Sequence, residues 1–88
     1  MKIKSGFILR EVAGSFVVVA VGSASKNFKG VIKLNESGSI LWKELEKGND
    51  DVEKLADVLV REYSIDKEMA TNDVLAFLTK LKEAKIVE

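Results

Sequence analysis

The apolar pattern of this chain changes period once, near Leu34, and that single change limits the folds open to it. Up to Leu34 the apolar residues fall in short runs and two-residue alternations, the habit of strands. After Leu34 they recur at helical spacing. Strands first and helices afterwards is the segregated, α+β order. A chain of 88 residues is one domain with a small core. The expected layout is a single domain over 1–88, with a three-stranded antiparallel sheet over about 6–34 and a three-helix bundle over about 35–85. A small sheet beside three helices is a winged-helix-like arrangement.

Phe7–Val12 reads as the first strand, and Ala13-Gly14-Ser15 as a tight turn. Phe16–Val21 reads as the second strand, apolar on both faces as if covered on both sides. Gly22–Asn27 is a polar loop of turn formers. Phe28–Leu34 reads as the third strand. Phe28, Gly30, Ile32 and Leu34 share one of its faces; Lys29, Val31 and Lys33 share the other. Short connections predict a meander with the second strand central.

Asn35 is placed to cap the first helix, which carries Ile40, Leu41, Trp42 and Leu45. Gly48 stands where a helix-ending glycine belongs. Asp50 and Glu53 have the spacing of a capping box for the second helix, whose core stripe is Val52, Leu55, Ala56, Leu59 and Tyr63. Asp66 caps the third, which runs to about Ala84 on a stripe of Ala70, Val74, Phe77, Leu78 and Leu81. Ile86-Val87 forms an apolar tail.

The chain has no cysteine and no histidine. That removes disulfides, thiolate chemistry, the commonest general base and the commonest zinc and iron ligands. No catalytic residue, metal site or cofactor is expected. Asp50 and Asp51 are a pair of acids, but a helix N-terminus accounts for them. No phosphate-binding glycine loop is present. No apolar run approaches the roughly 20 residues of a membrane span, and no signal-peptide pattern opens the chain, so the expected compartment is the cytoplasm.

Net charge is zero but unevenly spread. Residues 1–34 hold six Lys/Arg and one acid; residues 35–88 hold eight Lys/Arg and thirteen acids. The basic half suits an acidic peptide, although chance asymmetry on a solvated surface fits equally. The third strand is an expected sheet edge with unpaired backbone groups. Lys29 and Lys33 read as guards against self-pairing, as attractants for an acidic peptide strand, or as both. If the third helix borders this edge, Leu75, Asp73 and Lys80 form with it a cleft with an apolar floor and a polar rim. Leu75 lies off the core stripe. Trp42 is expected in the core, where its indole N–H needs a partner.

These residues, taken in order, resemble the PqqD family. The likeness rests on Leu34-Asn35, Ser37-Gly38, Leu41-Trp42 and Leu45, on Tyr63 ahead of Asp66, and on Asp73-Val74, Phe77-Leu78 and Leu81. Phe7–Gly14 matches as a first strand, so the resemblance covers nearly the whole chain. It departs at Lys85, where relatives often carry glycine. The resemblance implies a RiPP recognition element, a stand-alone domain that binds the leader of a ribosomally made precursor peptide. The leader would pair with the third strand and lie toward the third helix. The domain would deliver it to a modifying enzyme, often a radical SAM enzyme. Carried onto this chain, the peptide-binding positions are Lys29, Gly30, Val31, Ile32, Lys33, Leu34, Asp73, Phe77, Lys80 and Leu81, with Leu75 in reserve.

Two other readings stay open. A winged-helix nucleic-acid binder suits the fold, but the helical half is acidic where a duplex-reading helix should be basic. A homodimer formed by pairing edge strands would use the same open edge.

Overall fold

The computed structural model describes residues 1–26, 28 and 30–88. Its elements are β1 (Phe7–Val12), β2 (Ser15–Ala20), a 3-10 turn (Gly22–Lys26), β3 (Val31–Leu34), α1 (Glu36–Glu46), α2 (Val52–Tyr63) and α3 (Lys67–Glu83). The strands form one antiparallel sheet in the order β1-β2-β3, with β2 central as the short connections require.

Ala13 and Gly14 join β1 to β2 with φ of 51° and 81°. Two positive values make the primed turn whose twist suits a hairpin; glycine takes this without strain, and Ala13 carries the cost. Gly30, at φ 97°, bends the chain ahead of β3. Strand geometry needs negative φ, so β3 starts at Val31 rather than at the expected Phe28. The expected loop over 22–27 contains the 3-10 turn; Asn27 lies outside the described residues.

Phe7, Leu9, Phe16, Val18, Ile32 and Leu34 face the helices and pack into or against the core. Leu41, Trp42, Leu55, Leu59, Val74 and Leu81 fill its centre, each at most 1% exposed. Burying each such side chain contributes about 1.5–3 kcal/mol. The other face of β2 does not behave as expected. Val17 and Val19 lie outside the core and outside the side chains packed on it. The apolar run in β2 therefore reflects one face on the core and one half-buried apolar face off it, not a strand sandwiched between layers.

The helices begin on side-chain caps. Asn35 accepts from the Gly38 N–H at 2.8 Å, and Asp66 from the Met69 N–H at 2.8 Å. At α2 the cap is Asp51, which accepts from the Lys54 N–H, and not the expected Asp50. Asp51 stands next to the first helical residue, and Asp50 instead accepts from the Met1 ammonium. Tyr63 also departs from expectation. It is 36% exposed, and its hydroxyl donates to Glu36 at 2.7 Å, tying the end of α2 to the start of α1. Desolvation, and then this bond to a carboxylate, push its pKa up to about 12.

The close of α3 explains the departure at Lys85. The Ile86 N–H donates to the Leu81 C=O and the Lys85 N–H to the Lys82 C=O, the paired bonds of a Schellman ending. That ending needs a left-handed residue, and Lys85 supplies it at φ 61°. The expected apolar tail is more than a tail. Ile3 bridges Val87, with Lys4 N–H donating to Ile86 C=O and Glu88 N–H to Lys2 C=O, so both ends of the described chain pair beside the helices.

Candidate functional site

The open edge of β3 can be read bond by bond. The Val21 N–H donates to the Gly6 C=O at 2.7 Å, which makes Gly6 and Val21 a hydrogen-bonded pair. Antiparallel ladders alternate such pairs with non-bonded ones. Two residues along, Ile8/Val19 and then Arg10/Val17 are of the same kind. The backbone groups of Val17 and Val19 therefore point toward β1, and those of Phe16 and Val18 toward β3. Their partners there are Leu34 and Ile32. Val31 and Lys33 are left with N–H and C=O groups directed away from the sheet.

The direction of one side chain agrees with this count. Lys80, on α3, donates from Nζ to the Lys33 carbonyl at 2.7 Å. The ammonium of a helix residue thus occupies an acceptor on the free edge. Lys80 is exposed, so the bond is one that solvent and ligands can contest.

Next to this contact lies a cleft of about 370 Å³ lined by Leu34, Asn35, Ser37, Gly38 and Leu41 on one side, and by Asp73, Ala76, Phe77 and Lys80 on the other. Leu34, Leu41 and Phe77 give it an apolar floor. Asp73 and Lys80 stand seven residues apart on α3, about 10 Å along its axis, and give the rim one charge of each sign. The far rim is held by the α1 cap: the Ser37 hydroxyl and the Gly38 N–H both donate to the Asn35 side chain. A Cβ on Gly38 would stand 3.1 Å from that same oxygen and 3.3 Å from Leu34, so glycine keeps cap and wall close.

The structure brings most of the expected site residues together. Val31 and Lys33 present the edge, Leu34 forms the floor, and Asp73, Phe77 and Lys80 form the helix wall. Ile32 points inward and is half-buried. Gly30 sets the bend before the edge. Lys29 lies outside the described residues. Leu81 is fully buried, behind the wall rather than on it, and Leu75 is 47% exposed and does not line the cleft. Sequence reasoning missed Asn35, Ser37, Gly38, Leu41 and Ala76 as lining. Ala76 was within reach, because Asp73, Ala76, Phe77 and Lys80 follow the three- and four-residue steps of one helix face. The α1 residues gave no such signal, since their place depends on how the cap folds against β3.

Such a site offers a paired donor and acceptor at each of two edge residues, an apolar trough and a charged rim. That is equipment for holding an extended peptide. Among the described residues no cluster of metal-ligating side chains occurs. No helix among them is long and apolar enough to cross a membrane.

Two solved structures are similar over most of the chain. One is TbiB1 in complex with the TbiA(beta) leader peptide, at TM-score 0.77 and 25% identity, covering 100% of this chain and 95% of that one. The other is a lasso peptide synthetase B1 complexed with the leader peptide, at TM-score 0.73 and 21% identity, covering 93% and 89%. At that identity the second speaks for the fold alone. No curated protein matches the sequence. The family described as coenzyme PQQ synthesis protein D (PqqD) matches residues 15–87, from the start of β2 to the terminal bridge. The chain belongs to the PqqD family.

Proposed function

We propose that this protein binds the leader segment of a ribosomally synthesised precursor peptide as a fourth strand on β3, and presents it to a modifying enzyme. It acts as a RiPP recognition element and a peptide chaperone, over a single domain, with no catalysis or cofactor of its own. The observation that carries this is the outward backbone of Val31 and Lys33 beside the trough under α3. Support comes from TbiB1, whose solved complex holds a leader peptide on a chain of this fold.

The energetics are adequate. A micromolar complex needs about −8 kcal/mol. Edge hydrogen bonds contribute about 0.5–1.5 kcal/mol each and buried apolar anchors about 1.5–3 kcal/mol each, before ordering costs. Leu34, Leu41 and Phe77 are the floor that receives the anchors. Asp73 on the rim fixes their register, while the Lys80 ammonium holds the Lys33 carbonyl until the incoming strand claims it. The modifying enzyme is a radical SAM enzyme if this chain follows the pathways implied by its family resemblance, and a lasso peptide synthetase partner if it follows the structural neighbours.

An NMR titration of the ¹⁵N-labelled protein with the leader half of its precursor peptide tests the reading. Shifts should concentrate at Val31–Lys33 and along Asp73, Ala76, Phe77 and Lys80. Saturable binding with those residues silent would refute strand addition at β3.

A further inference from the structure

The face of the sheet turned away from the helices is apolar as well. Its central row is Ile8, Val19 and Val31, paired side by side across the three strands, and the next row is Arg10, Val17 and Lys33. Antiparallel sheets with one solvated face normally place polar side chains there. Here four of these six are Ile or Val, and Val31 is 60% exposed. The other three, Ile8, Val17 and Val19, are half-buried, and none of them packs on the core. Contiguous apolar surface with a polar rim marks an interaction site.

We infer that this outer sheet face is the docking surface for the peptide-modifying protein, and that the surface it meets is apolar with carboxylates at its edge. The inference rests on the leader-binding reading. Charge decides against a second copy of this chain. Arg10 and Lys33 sit at opposite ends of their row, and the strand residues of this face include no acid. A two-fold dimer sets a patch against itself, so it would bring cations to cations around an apolar centre. A partner with acids outside an apolar patch relieves both.

Continuity with the peptide site gives the face its purpose. Side chains of a strand alternate between faces. A leader added to β3 therefore sends every second side chain into the cleft under α3. The remaining side chains land beside Val31 and Lys33, and each row of the outer face grows by one residue. The docking protein then reads carrier and peptide as one surface, and prefers the loaded carrier to the empty one.

The probe is the purified enzyme that modifies the leader-bearing precursor, titrated against wild type, Arg10→Glu and Val19→Thr, each with and without saturating leader. Arg10 is exposed and Val19→Thr keeps the branched shape, so both variants should fold, which circular dichroism checks. Arg10→Glu should weaken enzyme binding at least tenfold and Val19→Thr severalfold. Leader affinity, measured separately, should stay within twofold, and leader should tighten enzyme binding to wild type. Enzyme binding unchanged in both variants overturns the inference, as does no enzyme binding by wild type. A wild-type dimer broken by Val19→Thr also overturns it, by making the occupant a second copy. Loss of enzyme binding in the variants of a protein that binds no leader would uphold the docking face and refute the leader reading instead.

Discussion

The two flanks of α3 were made by the same helix and do opposite things. Toward α2 it is sealed. Ala70, Val74, Leu78 and Leu81 are buried, α2 and α3 make the most extensive helix contact in the molecule, and Lys67 pairs with Asp57 at 2.6 Å. Toward β3 the same helix is open, touching the sheet edge through Lys80 and leaving a trough beneath Asp73, Ala76 and Phe77. The difference teaches where stability and binding reside. The sealed flank holds α3 at a fixed height, so that the open flank can keep an unfilled groove without collapsing. Stability and affinity should therefore respond to different substitutions.

The largest test of that separation is Leu81→Ala. Deleting a fully buried leucine should cost about 2–5 kcal/mol in urea unfolding, while the fraction still folded binds leader as before. Should affinity fall in step with stability, the two flanks are not separable. Val31→Pro is the reverse experiment. The outward Val31 N–H has no ladder partner to lose, and proline is tolerated at an edge, so stability should stay within about 0.5 kcal/mol. Leader affinity should drop about tenfold to a hundredfold, by isothermal titration, because the new strand loses a donor. A lost fold would mean that the edge is paired the other way round.

Lys80→Met sharpens the comparison where the open flank meets the edge. The stem remains but the ammonium that occupies the Lys33 carbonyl is gone. An uncharged leader-derived peptide should then bind roughly fivefold tighter, about 1 kcal/mol. Weaker binding would reassign Lys80 from competitor to ligand contact. The smallest effect is expected at the end of the helix. Lys85→Gly relieves a left-handed lysine and should stabilise by about 0.5–1 kcal/mol, reduced by the freer unfolded chain, with leader affinity unchanged.

Much of this was legible in the residues. The period change at Leu34 placed sheet and helices, and Asn35 and Asp66 marked two of the caps. The α3 stripe predicted the sealed flank because burial imposes periodicity. The errors share a cause. Asp50 and Asp51 are chemically equal candidates for one cap, and only the exact start of α2 separates them. Tyr63 sits on the apolar stripe by spacing, yet its hydroxyl is better served by Glu36 at the surface. The double-faced apolar run of β2 looked like a covered strand because a sequence records hydrophobicity and not what covers it. The cleft itself was half visible: its helix wall repeats at helical spacing, while its α1 wall is assembled by a tertiary contact that leaves no period.

The bridge between Ile3 and Val87 has a consequence for how the molecule assembles. It joins residues 84 positions apart, close to the greatest separation an 88-residue chain allows. Contacts that close long loops are costly in entropy, whereas the β1–β2 hairpin and the α2–α3 pair are local. Folding should therefore run from those two local units inward, with the terminal bridge among the last steps. Substitutions at Ile3 or Val87 should accelerate unfolding and leave the folding rate nearly unchanged. Since the bridge follows directly on the Schellman turn, only the last turn of α3 settles with it, after the hairpin and the helix pair have formed.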